Sequence, residues 1–459
     1  MRSRSAESPI VWFLALRTWY TLLYTIPGVD TINAPATLDG SVAPAVAATE
    51  PPLRIALLGY RSAPFSGGQG IYLHYLSRAL TKLGHKVTVI SGPPYPHLVP
   101  EVVLEQLPSL DLYANGLRSV PPRRLLTDPL ARVEWLSKLT GGFAEPWTFA
   151  ERARRWLLPR LDQFDVIHDN QTLADGLLAI QGTGVPLVTT IHHPISRDRR
   201  LALQAEPRWY RRLLVARWHD FVTMQSRVAR QLNHVVTVSS ASRNDIVADF
   251  GVHPARVQVV HIGVDAALFR PLPQIERHSC QIMATASADT PNKGLPVLLR
   301  AAHRLVPVLP ELKLLLVGKP RPGGSTEALV AELGLGDRIE WVHNVDHETI
   351  VAHYARSTAA VVPSLYEGFG LPAVEAMACA MPLVVSDGGA LPEVVGDAAE
   401  VVPAGDHEAL AAALQNLLLD KSHRDALGAK ARLRAERDFS WDVCAAQMVA
   451  YYRECMAAC

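Results

Sequence analysis

Two glutamates eight residues apart, Glu367 and Glu375, close a short stretch reading YEGFGLPAVE at residues 366–375. The preceding AAVVPSL is an apolar run of strand length. Pro372 suits the first turn of a helix, where a missing N–H costs nothing. The stretch therefore reads as a loop leading from a strand into a helix. Phe369, Gly370 and Leu371 would then offer free N–H groups at the positive end of that helix, where a phosphate binds readily. Carboxylates accept hydrogen bonds from hydroxyl groups. Sugar hydroxyls on Glu367, a diphosphate on the N–H groups and ribose hydroxyls on Glu375 would together hold a nucleoside-diphosphate sugar. The competing reading makes Glu375 only a favourable acid in a first helical turn.

A second cluster, SAPFSGGQG at residues 62–70, ends a strand and opens a helix. Gly67, Gly68, Gln69 and Gly70 permit close backbone approach to a phosphate or a transferred group. A purely structural glycine loop is the alternative. A dinucleotide fingerprint fits badly, because the loop from Gly59 to Gly67 is long, Leu73 stands at the third glycine position, and the second strand ends in ISG without an acid. His192 and His193 end the strand VTTIHHP, and neighbours on a strand point to opposite faces, so one of the two can face a cleft. His168 and Asp169 end DVIHDNQ and are candidates to line an acceptor site. No DxD pair or histidine cluster of metal-ligand spacing occurs, so no metal is expected.

These residues need a scaffold. From Arg54 onward the chain alternates buried strands with helices: RIALLGY, HKVTVISG, DVIHDNQ, VPLVTTIHH, HVVTVSS and VQVVHIG, then QIMATASA, LKLLLVGK, RIEWVHNV, AAVVPSL and MPLVVSDGG. Strand–helix–strand repetition predicts α/β domains with doubly wound parallel sheets. A length of 459 residues exceeds one core and implies two such domains. Residues 263–279, with two prolines, break the rhythm and read as the linker between an amino-terminal domain (53–265) and a carboxy-terminal one (278–435). Residues 1–52 read as a disordered extension, with a weak membrane anchor as the alternative, since Arg17 interrupts their apolar stretch (10–26) and the rest is Ala/Pro/Thr-rich without a period. A net charge of +1 argues against a nucleic-acid partner. Five cysteines without a CxxC suit a reducing, cytoplasmic setting.

The nine residues EGFGLPAVE, the pair Lys293–Gly294 and the glycine-rich first loop resemble the retaining glycosyltransferases of family 4, which have the GT-B fold. The resemblance spans roughly residues 54–455 and includes LTKLGHKVTVI, GVDAALF, GGALPEVV and FSWDVCAAQMVAYYREC. It implies two Rossmann-like domains facing across a cleft, with residues 436–459 forming a helix that packs back on the first domain. It implies transfer of a hexose from a nucleoside-diphosphate sugar to an acceptor, with Glu367 beside the donor sugar, Glu375 on the ribose, Lys293 on the diphosphate and His192 near the sugar. The family's phosphate-binding arginine is missing, with Ser287 or Ala288 in its place. A nucleotide-sugar epimerase or hydrolase, or a non-catalytic nucleotide-sugar-binding protein, would share the fold. Sugar, nucleobase and acceptor are not legible.

Residues 197–218 carry seven arginines against Asp198 and Glu206, with Trp209, Tyr210 and Trp218 among them. Basic residues interleaved with interfacial aromatics suit an anionic membrane surface. A solvated helix face with inward tryptophans is the plainer alternative.

Overall fold

A computed structural model of the chain describes residues 51–64, 68–112, 114–206, 208–285 and 291–458. Two parallel sheets result. The first contains β1 (Arg54–Gly59), β2 (Lys86–Ser91), β3 (Val103–Gln106), β4 (Val166–Asn170), β5 (Leu187–Thr190), β6 (His234–Thr237) and β7 (Val257–Val259), in the order β3-β2-β1-β4-β5-β6-β7. The second contains β8 (Gln281–Thr285), β9 (Lys313–Val317), β10 (Ile339–Val342), β11 (Ala359–Val362), β12 (Leu383–Ser386) and β13 (Glu400–Val402), ordered β10-β9-β8-β11-β12-β13. Central strands such as β4, β5, β11 and β12 are buried at every residue, as a sheet covered on both faces requires.

The strand order reverses between β1 and β4 in one sheet and between β8 and β11 in the other. Ligands of open α/β sheets lie beyond the carboxyl ends of the strands at such reversals. The glycine loop follows β1, His192 follows β5, Lys293 follows β8 and Glu367 follows β11. Connectivity alone thus brings every candidate segment to one end of its sheet.

Two edge strands, β3 and β13, go beyond the sequence expectation. They are four and three residues long and half exposed, so neither produces an apolar run. Gly67, Ser287, Ala288 and residues 1–50 of the expected extension lie outside the described residues.

The chain crosses between the sheets twice, at one place. The Val264 N–H donates to the Phe439 carbonyl at 2.6 Å, and a Cβ on Gly263 would stand 2.4 Å from the Trp441 nitrogen. Helix Trp441–Ala457, capped by Ser440 Oγ accepting from the Val443 N–H at 3.1 Å, then lies against helix Gly68–Lys82 of the first unit. Trp441 stacks on Tyr75 at 5.4 Å between centroids, and the Tyr452 hydroxyl sits 2.5 Å from His168 Nδ1.

Candidate functional site

Helix Leu371–Ala378 starts abruptly. Gly370 caps it with φ 99°, a left-handed conformation that favours glycine, and a Cβ there would lie 2.7 Å from the Leu391 side chain. Pro372 is the second helical residue, so Glu375 belongs to the second turn. The expectation of a first-turn acid is corrected on that ground, because the helix begins at Leu371 and its first turn contains no acid. Among the described residues, the N–H groups of Phe369, Gly370 and Leu371 have no acceptor.

Glu367 is buried, and both contacts to its carboxylate fall on one oxygen. Lys293 Nζ and Ser364 Oγ each stand 2.8 Å from Oε1. Its backbone is clamped as well, with the N–H reaching the Gly388 carbonyl at 3.2 Å and its own carbonyl accepting from the Ala390 N–H at 2.9 Å. Lys293 is delivered by Gly294, whose φ of 66° and missing side chain let the chain press against Pro363, where a Cβ would overlap the carbonyl oxygen at 1.7 Å. The Leu365 N–H to the Asn292 carbonyl, 2.7 Å, fastens the two loops together.

Glu375 has no hydrogen-bond or ionic partner among the described residues. Burial pushes its carboxyl group up to about 8. It is therefore an unengaged hydrogen-bonding group on helix Leu371–Ala378.

The amino-terminal domain meets this loop through its histidines. Gly368 packs beside His192 and His193, with the His192 carbonyl and the His193 Cβ both 3.8 Å from where its Cβ would be. His192 Nε2 lies 2.8 Å from Asn170 Oδ1, and Asn170 Nδ2 donates to the Gln69 carbonyl at 3.1 Å. Because the amide nitrogen is turned to Gln69, the ring must donate through Nε2, leaving Nδ1 as an acceptor. Burial, with His193 adding to it, lowers His192 to about 3, so the ring is neutral at ordinary pH and can accept a hydroxyl hydrogen bond. His193 turns the other way, 3.2 Å from Asp198; burial opposes its charge, but the Asp198 carboxylate outweighs burial and raises its pKa.

Gly68, Gln69 and Gly70 form the first residues of helix Gly68–Lys82. Gly70 is required sterically, since a Cβ would stand 2.1 Å from the Ala63 carbonyl oxygen.

His168 and Asp169 do not line an acceptor surface. His168 is buried between Tyr452 and Thr190, whose Oγ1 is 2.7 Å from Nε2, and burial lowers its pKa to about 3. Asp169 is wholly buried, accepts from the Thr172 N–H at 3.0 Å and is raised to about 7 by burial. Both lie on β4 before its end, within its fully buried run.

Sequence reasoning missed the contacts that join the domains. Ser239 and Ser242 donate to the Gly368 carbonyl, Tyr366 donates to Asp245, and Glu393 accepts from the Ser240 N–H at 2.9 Å and lies 2.9 Å from His261 Nε2. Arg197 is drawn into this seam, its guanidinium 3.7 Å above the Tyr366 ring. HVVTVSS reads in the sequence as a strand, and nothing in it names a partner in the other domain.

In the basic segment, Arg200 and Arg217 pair with Asp249 and Asp220 at 2.9 and 2.6 Å, and Trp218 packs 5.0 Å from Phe143. Trp209 is 73% exposed and Leu213 61%. No helix among the described residues is long and apolar enough to cross a membrane. Nor, among those residues, do three His, Cys, Asp or Glu side chains gather where they could hold a metal ion.

Comparison with known proteins places two family models on the chain, "Glycosyltransferase Family 4" over residues 66–268 and "Glycosyl transferases group 1" over residues 276–434. An MMP alpha-(1->4)-mannosyltransferase from Mycolicibacterium hassiacum is 48% identical over 411 residues, 88% of this chain and 99% of that protein. A D-inositol 3-phosphate glycosyltransferase from Kribbella flavida is 28% identical, covering 89% of this chain and all of the other. Among solved structures, sucrose-phosphate synthase from Thermosynechococcus elongatus superposes with a TM-score of 0.65 at 26% identity, over 89% of this chain and 100% of that one. Anabaena HepE, solved in complex with UDP, shares the fold with a TM-score of 0.61 at 18% identity, over 88% of this chain and 100% of its own.

Proposed function

The chain belongs to glycosyltransferase family 4 and has the GT-B fold, and from that premise we propose that it moves a hexose from a nucleoside-diphosphate sugar to an acceptor with retention at the anomeric carbon. Mannose is the first sugar to try, because the relative at 48% identity is a mannosyltransferase. The nucleotide-sugar part of the reading is supported by the free N–H groups of Phe369, Gly370 and Leu371, and HepE, which shares this fold, is a protein solved with UDP.

One observation carries the chemistry: both partners of Glu367 sit on Oε1. A carboxylate whose charge is shared with an ammonium and a hydroxyl is a poor nucleophile, while its other oxygen still accepts hydrogen bonds. Retention by double displacement needs a nucleophilic carboxylate at the anomeric carbon. In this reading Glu367 instead holds sugar hydroxyls. The departing phosphate takes the acceptor proton on the same face. Lys293 and the helix N-terminus meet the negative charge that gathers on the diphosphate, so that countercharge is assigned to the protein and not to a divalent cation. His192 accepts a sugar hydroxyl at Nδ1, and Glu375 holds the ribose. Gly67, Gly68, Gln69 and Gly70 approach the donor from the opposite domain. Contacts that join the domains, Glu393 to Ser240 and to His261 among them, keep the cleft shut against water.

The acceptor is placed on the amino-terminal domain, in a cytoplasmic protein. Peripheral contact with an anionic membrane completes this reading, supported by exposed Trp209 and Leu213 beside Arg208 and Arg212.

The test incubates the purified chain with GDP-mannose and, separately, UDP-glucose, and measures free sugar, epimerised sugar and sugar transferred to added mannosides. An α-linked product by NMR is expected. Epimer or free sugar alone, without transfer, overturns the reading.

A further inference from the structure

The inference deepens the donor reading above and rests on it. The Gly368 carbonyl oxygen is reached by two hydroxyls from the other domain, Ser239 Oγ at 2.5 Å and Ser242 Oγ at 3.0 Å. Both serines are completely buried. The direction of the Ser239 hydroxyl is fixed locally. Ser239 is the N-cap of helix Ser240–Asp245, its Oγ accepting from the Ser242 N–H at 3.0 Å, so its own proton is left for an outward donation.

The peptide between Gly368 and Phe369 is trans and planar, so its C=O and N–H point in opposite directions. A carbonyl held toward the amino-terminal domain therefore aims the Phe369 N–H away from that domain, and this N–H has no acceptor among the described residues. Gly368 also leaves little space for anything larger, since its Cβ would stand 3.3 Å from Ser242 Oγ.

We infer that Ser239 and Ser242 are positioning residues that grip the Gly368 carbonyl and thereby set the direction of the Phe369 N–H, a donor to the sugar-diphosphate. Part of the donor site in the carboxy-terminal domain is thus oriented by hydroxyls of the amino-terminal one. Contact between the domains and readiness of the donor site become one event. The grip is separable from the general attachment of the domains, because Glu393 holds Ser240 and His261 independently.

The test uses the full chain labelled with 15N-phenylalanine, ten residues in all. The Phe369 amide signal is assigned by its loss in Phe369→Leu. In Ser242→Ala, which leaves the Ser239 cap intact, the Phe369 signal moves while the other phenylalanine signals stay. Ser242→Thr restores it. Titration with GDP and with UDP then shows affinity for the nucleotide that the wild type binds falling by roughly 5- to 10-fold in the alanine variant, and by less than about 2-fold in the threonine variant, as expected for one lost hydrogen bond. An unmoved Phe369 signal overturns the grip. A moved signal with unchanged affinity overturns the positioning role. A wild type that binds neither GDP nor UDP overturns the donor reading itself, and is told apart because the signal still moves.

Discussion

Lys293 Nζ and Glu367 Oε1 stand 2.8 Å apart, although the two residues follow different strands, β8 and β11, that pair side by side. The lysine is therefore already engaged by the residue it works beside.

Replacing Lys293 by alanine removes one preorganised cation, and transfer falls on the order of 10²-fold or more. Adding Glu367→Gln to Lys293→Ala then costs much less than Glu367→Gln does alone, because two contacting groups act as a unit. Steady-state transfer rates of the two single variants and the double variant decide it. Retention of more than about half of wild-type activity by Lys293→Ala places the diphosphate elsewhere.

Gly294→Ala is expected to be worse for its size than either charge deletion. Its Cβ meets a backbone oxygen at 1.7 Å at a φ of 66°, so no side-chain rotation relieves the overlap. Destabilisation on the order of 1–3 kcal/mol accompanies displacement of Lys293 from Glu367. Chemical denaturation and transfer assays report the two effects, and a stable, active variant refutes the packing argument.

Glu375 predicts a pH dependence of stability. Burial pushes its carboxyl group up to about 8 in the fold, well above the ordinary carboxylate range, so between that range and pH 8 the folded state holds an extra proton. Stability contributed by this group is present at low pH and falls as pH rises through that window. Glu375→Gln stays neutral, and its melting temperature gains on that of the wild type between pH 5 and 8. A constant difference would mean that burial does not raise the carboxyl group. In transfer assays Glu375→Ala raises the donor KM more than it lowers kcat, whereas Glu367→Ala chiefly lowers kcat.

For the basic segment, the chain lacking residues 1–52 is expected to co-sediment with anionic vesicles more than with neutral ones at low salt, the difference shrinking as salt screens the arginines. Equal recovery with both removes the support for a lipid-linked acceptor.

What could be read beforehand depended on scale. Buried strands such as RIALLGY and AAVVPSL declare themselves by apolar runs. VLEQ and EVV at the sheet edges have three or four residues and one covered face, too little to rise above a loop. Glu367 and Glu375 were legible because a helix start has a local signature of glycine and proline. The grip of Ser239 on Gly368 was not, because a hydroxyl beside a helix reads as a cap and its second bond goes to a residue 129 positions away. His168 misled for the same reason: ending a strand looks like facing a cleft until Tyr452 is seen to cover it.

That covering has a consequence for synthesis. The hydroxyl that occupies His168 Nδ1 lies 284 residues further along the chain, on a helix that packs on Gly68–Lys82. While the ribosome is still making the carboxy-terminal sheet, the amino-terminal sheet has emerged with a gap where Tyr452 and Trp441 will lodge. The first domain to be translated is thus the last to be sealed.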